Sequence, residues 1–247
     1  MLPRLDVVLA LALDTATATV VIGIIEISPP AESGWHTTSV RAARTVPSNN
    51  RHAETLGELI PGVLTEAGVG APDLGAVVVG LGPGPFTGLR VGVMTAAALG
   101  DALGVPVHGV CTHDAIATMH KALAGSVPDG TMVPAEGFAV VTDARRRECY
   151  WATYDASGTR IGGPYVNRPD ELPARSDWRR DGLVIGDPAF SEALGTDVLL
   201  APPDPMGLAL ATSGLTDGGQ PAGPLEPMYL RRPDATPPAP RKPVTPR

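Results

Sequence analysis

The sequence predicts an α/β protein of two small lobes, each a mixed sheet flanked by helices. Three observations predict it. A nearly unbroken apolar run at residues 6–13 heads two further β-prone stretches. Helical and strand periodicities then alternate as far as residue 110. After residue 111 a shorter set of strand-like segments repeats that order.

The bulk numbers suit this reading. A chain of 247 residues, 43% hydrophobic and 18% charged, buries a substantial core. The formal net charge of −7 is opposite to that of a protein that grips nucleic acid alone. Cys111 and Cys149 are the only cysteines, which fits reduced cytoplasmic thiols rather than a disulfide framework. No apolar run approaches the ~18 residues of a membrane helix. Arg4, Val7 to Leu13 and Ala16-Thr17-Ala18 imitate a signal peptide with a small-residue cleavage site. The run is short, however, and bracketed by Asp6 and Asp14, so a buried first strand is the preferred reading.

The elements follow in order. Thr15 to Ile27 is rich in Thr, Val and Ile and makes a second strand after a tight turn. His36 to Val46 is more polar, as an edge strand would be. Residues 51–67 carry Ala53, Leu56, Ile60, Val63, Leu64 and Ala67 at helical spacing, with Gly68 as the C′ residue. Pro61 is awkward there, because an interior proline costs about 3 kcal/mol. A buried strand at Ala76 to Val79 leads into Gly80-Leu-Gly-Pro-Gly-Pro-Phe-Thr-Gly88, a helix over about 89–103 and a strand at Val105 to Val110. Strand, strand, strand, helix, strand, helix, strand is the half-unit of ribonuclease H-like and actin-like ATPase folds. From Thr112 a connecting helix leads to paired strands at Phe138 to Thr142 and Cys149 to Tyr154, a strand at Leu183 to Ile185 and a helix near 205–214. The predicted organisation is an N-terminal lobe over 1–110, a C-terminal lobe over 111–232 and a flexible tail over 233–247, where six prolines stand in fifteen residues.

Several residues could carry chemistry. Asp14-Thr15-Ala16-Thr17 lies where strand one turns into strand two; in actin-like ATPases this hairpin faces the nucleotide phosphates and its acid holds the metal. The alternative is an acid and hydroxyls that satisfy their own turn. The glycine-rich loop with Gly82, Gly84 and Gly88 allows close backbone approach, and Thr87 could cap the next helix and aim its N–H groups at an anion. A rigid strand-to-helix turn fits the same residues, and no Gly-Lys-Ser/Thr follows to make a P-loop. The helix after it has no charge over residues 91–100. Val91, Met94 and Ala98 lie opposite Gly92, Ala96, Leu99 and Leu103, so both sides need cover, and a subunit interface is preferred for the outer one. His52, His108, His113 and His120 lack the spacing that pairs imidazoles on one helical face and read as surface or capping residues. Asp143 to Glu148 sets three arginines between two acids, a turn with a possible anion contact. Ser126, Ser157 and Ser191 lie in no Gly-x-Ser-x-Gly elbow.

Asp14-Thr-Ala-Thr17, Arg51-His52, Gly82-Pro-Gly-Pro-Phe-Thr-Gly-Leu-Arg-Val-Gly92, Asp143-Ala-Arg145, Glu148-Cys-Tyr-Trp-Ala152 and Tyr229-Leu-Arg231 stand in this order over roughly residues 8–232. Together they resemble the TsaB (YeaZ) family, the partner subunit of the machinery that makes threonylcarbamoyladenosine beside the anticodon of tRNA. The resemblance implies a non-catalytic, cytoplasmic scaffold subunit that serves transfer of threonylcarbamoyl to N6 of adenosine 37 in tRNAs reading ANN codons. It implies a homodimer that exchanges for a heterodimer with the catalytic paralogue TsaD, joined by the ATPase TsaE, with tRNA bound through the complex and no membrane partner. His52, Thr55, Leu59, Val91, Met94, Thr95, Ala98 and Ala102 would line that interface. Asp14, Thr15, Gly82, Gly84, Thr87, Gly88 and Arg90 would form a degenerate nucleotide- or anion-binding cleft. No cofactor would be required by this subunit; ATP or ADP and metal are expected in the partners. The paralogue binds metal through a His-x-x-x-His pair, whereas this chain reads Val107-His-Gly-Val-Cys-Thr-His113 at the matching place. Pro85, where serine is commoner, and the proline-rich tail also depart from the family pattern.

The main alternative is an ATP-dependent small-molecule kinase of the actin-like fold. It needs a metal-binding acid, a base in the second lobe and an adenosine pocket, and only Asp14 offers itself. A ribonuclease H-like nuclease needs clustered carboxylates for two metals, and a peptidase the missing histidine pair.

Overall fold

The apolar run forms β1 (Val8–Asp14), which runs antiparallel to β2 (Thr19–Ser28). The computed structural model describes residues 7–28, 37–47, 51–124, 137–178, 182–212, 215 and 223–231. Arg4, Ser126 and the predicted tail lie outside the described residues. β3 (Thr37–Pro47) closes one edge of the first sheet. β4 (Ala76–Gly80) and β5 (Val107–Val110) extend the other edge in parallel, giving the order β3-β2-β1-β4-β5. β1 as far as Leu13 and all of β4 are apolar because helices cover both faces.

On one face lie α1 (His52–Ala67) and α2 (Phe86–Leu103). Leu56 and Val63 of α1, with Val93 and Ala96 of α2, join Leu11, Leu13, Val20 and Ile22 in one core. Both helices end on a left-handed glycine, Gly68 as expected and Gly104. α1 continues through Pro61. Pro61 and Gly57 are exposed, so the Gly57 carbonyl that loses its partner faces water, and Thr65 Oγ1 donates to the Pro61 carbonyl at 2.9 Å. α2 starts earlier than expected. Its N-cap is Pro85, in extended conformation, so Thr87 is already inside the helix and makes no capping bond.

The second sheet repeats the first. β6 (Phe138–Asp143), β7 (Cys149–Tyr154) and β8 (Arg160–Asn167) form the antiparallel side; β9 (Leu183–Gly186) and β10 (Val198–Leu200) add in parallel. The order β10-β9-β6-β7-β8 is that of the first sheet read from the other edge. β8 and β10 were not foreseen. β8 is an edge strand broken by Gly162, Gly163 and Pro164, and β10 has three residues. α3 (Thr112–Ala124) links the two sheets: Ala115 packs with Ala10, Ala12 and Val78, while Ile116 and Ala117 pack with Phe138, Val140 and Tyr154. α4 (Ser191–Leu194) caps the second core, whereas α5 (Pro205–Ala211) returns to the first sheet, where Leu208 and Ala209 meet Ile25 and Val78.

Candidate functional site

Asp14, Thr15, Thr112 and Tyr150 converge on the glycine-rich loop between β4 and α2. Asp14 ends β1, fully buried. Its Oδ1 accepts the Ala16 N–H at 2.6 Å and its Oδ2 accepts the Thr112 hydroxyl at 2.7 Å. A Cβ on Gly80 would stand 1.8 Å from Asp14 Oδ2, so only glycine lets β4 pass the carboxylate. Burial raises the Asp14 pKa to about 6, against the opposing pull of the Thr112 and Ala16 hydrogen bonds.

The loop packs straight onto the β1–β2 turn. Thr15 Oγ1 donates to the Gly88 carbonyl at 2.7 Å, and a Cβ on Gly88 would meet the Thr15 carbonyl at 2.4 Å. Gly82 donates its N–H to Thr112 Oγ1 at 3.2 Å, while the Gly82 carbonyl accepts the Thr112 N–H at 2.7 Å. The Tyr150 hydroxyl reaches the Gly84 carbonyl at 3.4 Å from the second lobe. Asp14, Thr15, Gly82, Gly84 and Gly88 thus meet in one buried cluster, whereas Thr87 and Arg90 face solvent.

Residues 223–231 lie across this cluster as a strap. Met228 donates its N–H to the Leu81 carbonyl at 2.8 Å. The Tyr229 ring sits 4.8 Å from that of Phe86, and its hydroxyl accepts from Arg90 Nε at 3.1 Å. Arg90 also stacks 3.8 Å over Phe86. Arg231 then pairs with Glu148 of the second lobe.

Beyond the strap stands the turn between β6 and β7. Arg145, Arg146 and Arg147 all have positive φ, at 61°, 55° and 62°. Each such residue costs roughly 1–2 kcal/mol in an L-amino acid. The turn is held by Ala144 N–H to Glu148 O, Glu148 N–H to Arg145 O and Arg145 N–H to Asp143 Oδ1. Arg145 lies beside His52, whose pKa is lowered by burial and by that guanidinium charge.

The outward side of α1 and α2 carries the remaining predicted residues. His52, Thr55 and Leu59 are half-buried on α1, as are Val91 and Thr95 on α2; Met94, Ala98 and Ala102 are exposed, Met94 by 67%. Two of the four histidines differ from expectation. His113 is fully buried at the start of α3, its Nε2 in a 2.8 Å hydrogen bond with Thr142 Oγ1, and burial drives its pKa down to about 3. His108 is buried in β5. Neither is a surface or capping residue, because apolar packing of the linker between the lobes outweighs imidazole hydration. Among the described residues no group of three or more His, Cys, Asp or Glu side chains is placed to hold a metal ion.

Sequence reasoning missed a cavity of about 230 Å³ between the lobes, lined by Thr17, Thr142, Asp143, Gly186, Asp187 and Leu200 among others. The signal was Gly186-Asp187 at the end of β9, where φ of 128° and a carbonyl 1.9 Å from an added Cβ require glycine.

Comparison with known proteins agrees with this geometry. Residues 45–178, more than half of the chain, match the model of the family described as TsaD, tRNA N6-adenosine threonylcarbamoyltransferase. An uncharacterized protein of Mycobacterium leprae is 41% identical over 231 residues, which are 93% of this chain and 56% of that protein. The tRNA threonylcarbamoyladenosine biosynthesis protein TsaB of Escherichia coli is 31% identical over 144 residues, 58% of this chain and 54% of that one. The chain therefore spans little more than half the length of these two relatives. YeaZ from Pseudomonas aeruginosa superposes with a TM-score of 0.59 at 26% identity, covering 83% of this chain and 90% of that chain. The chain belongs to the TsaD family and, within it, to the TsaB (YeaZ) group.

Proposed function

We propose that this chain is the non-catalytic partner subunit of the machinery that places threonylcarbamoyl on N6 of adenosine 37 in tRNAs reading ANN codons. It dimerises with itself and exchanges that contact for a heterodimer with a TsaD-type catalytic subunit, to which a TsaE-type ATPase is added. The observation that carries this reading is the outward face of α2: residues 91–100 hold no charge, and Met94 is 67% exposed. A long helix is seldom left apolar on its outer side unless something covers it. Homology to TsaB supplies the pathway. The sealed Asp14 supports the absence of catalysis, since its two oxygens already accept hydrogen bonds and burial favours its neutral form. In this reading nucleotide and metal belong to the partner subunits, and tRNA meets this chain only in the complex.

A second reading, an actin-like small-molecule kinase, draws on the 230 Å³ inter-lobe cavity with Asp143 and Asp187 in its wall. Size-exclusion chromatography with light scattering decides between them, on this chain alone and then with a TsaD-type partner. A homodimer that becomes a heterodimer, with tRNA modification only in the mixture, fits the scaffold. A monomer indifferent to the partner, binding ATP and Mg²⁺ tightly in calorimetry, fits the kinase.

A further inference from the structure

The cavity between the lobes is used neither by the proposed interface nor by the sealed Asp14 cluster. Three parallel strand ends build it. β6 and β10 both pair with β9 at Gly186, through Val141 and Leu200, so Thr142-Asp143, Asp187 and Ala201 to Pro203 leave the sheet side by side. The space beyond the carboxyl ends of parallel strands is where open α/β sheets take ligands. Thr17 of the β1–β2 turn contributes from the first lobe. At about 230 Å³ the cavity is below the roughly 300–1,000 Å³ of pockets for drug-sized molecules, so it suits something smaller than a nucleotide.

The lining sorts by chemistry. It holds two carboxylates and no Lys, Arg or His. Asp143 is answered by Arg145 at 3.4 Å. Asp187 Oδ1 accepts the Ala189 N–H at 3.0 Å, and no cation meets this carboxylate among the described residues. Leu200 lines the same space yet is 75% exposed, an apolar side chain left uncovered beside Pro202 and Pro203. A phosphate or carboxylate ligand would face like charge here, whereas a cation with a carbon body satisfies both halves of the lining. We infer that the inter-lobe cavity binds a small organic ammonium. Its N–H groups donate to Asp187 and to the Thr17 hydroxyl oxygen, and its carbon body covers Leu200 and the two prolines. This site needs neither a dimer nor tRNA, so it stands apart from the partner-subunit reading.

The test is an NMR titration of the full chain, read at the backbone amides, with benzylamine as the probe and benzyl alcohol as its neutral counterpart. The expected result is saturable shifts confined to the amides around Thr17, Gly186 and Ala201, with a benzylamine Kd on the order of 1 mM, as befits so small a ligand. Benzyl alcohol should bind about tenfold more weakly. D187N keeps Oδ1 as an acceptor for the Ala189 N–H and removes the charge, so it should weaken benzylamine about tenfold and leave the alcohol unchanged. L200S alters an exposed side chain and should weaken both probes. Absence of saturable shifts overturns the inference, as does equal affinity for amine and alcohol. Amine binding that D187N does not weaken overturns it too. Displacement of benzylamine by ATP with Mg²⁺ overturns it in favour of the kinase reading. Assembly with a TsaD-type partner is measured separately by light scattering, and its failure would defeat the scaffold reading without touching this site.

Discussion

The two strand-end aspartates, Asp14 after β1 and Asp143 after β6, occupy matching places in the two sheets and make the same local bond. Each carboxylate Oδ1 accepts the backbone N–H two residues on, Ala16 at 2.6 Å and Arg145 at 2.7 Å. Their surroundings are opposite. Asp14 is walled in by Gly80 and Thr112, whereas Asp143 is half-exposed, pairs with Arg145 and lines the inter-lobe cavity. One repeated turn has become a packing element in the first lobe and a presented tip in the second. The cores diverge as well. The first lobe fills with aliphatics beneath two long helices, while the second has α3 on one face of its sheet and short helical turns on the other, and relies on Trp151, Trp178 and Tyr154. A lobe with long helices has outer surface to offer a partner.

If that division is right, the second core is the more fragile. Trp151 is fully buried, edge-on to Trp178 at 5.6 Å, and its Nε1 donates to Asn167 Oδ1 at 3.0 Å. Trp151→Ala should cost about 3–5 kcal/mol in urea unfolding, against about 1 kcal/mol for Ile22→Val in β2, the matching strand of the first lobe. Equal losses would erase the contrast between the cores.

The sealed aspartate should show itself in pH dependence. With a folded pKa raised from 3.8 to about 6, Asp14 keeps its proton in the native state after the unfolded chain has lost it. Its favourable contribution is complete below about pH 4 and is lost as pH rises through about 6, a fall of about 3 kcal/mol. Stability curves of the wild type and Asp14→Asn should converge or part over that window. Parallel curves would mean that the carboxylate is solvated after all. Asp143→Asn should leave the slope there nearly untouched.

The strap joins the two lobes through single contacts, so its effect is smaller. Tyr229→Phe removes the bond from Arg90 Nε but keeps the ring against Phe86, and should cost about 1 kcal/mol by thermal melting. A loss several times larger would show that the strap organises the glycine-rich loop rather than resting on it.

Much of this was legible in the sequence, for identifiable reasons. Continuous apolar runs announced β1 and β4, and 3.6-residue spacing announced α1 and α2, because burial on both faces and on one stripe leave distinct patterns. β8 was hidden because an edge strand tolerates Gly-Gly-Pro, and β10 because three residues carry no period. The site was half legible. The spacing of Gly80 to Gly88 declares close backbone approach, yet nothing local says that what approaches is Asp14 and Thr15, more than sixty residues upstream. Asp187 and the cavity arise from β9 meeting β6, a pairing across some forty residues. The burial of His113 follows from how α3 sits between two sheets, which its own sequence does not encode.

The smallest effect on the fold belongs to the outer face of α2, and it is the sharpest test of the division between lobes. Met94 and Ala98 are exposed and one turn apart, so Met94→Glu with Ala98→Glu adds charge without touching the core. Glutamate is a good helix former, and the change in the monomer's unfolding free energy should stay within about 0.5 kcal/mol. Association should nonetheless be abolished, because a carboxylate buried against an apolar partner leaves a desolvated, unpaired charge. Light scattering on the double variant reads this directly as a monomer with an unchanged melting temperature. The same pair of changes on the second lobe, at Ile161 and Tyr165 of the exposed β8 edge, should leave the oligomer intact. An oligomer that survives on α2 and fails on β8 would move the interface to the second lobe, and would undo the argument from helix length.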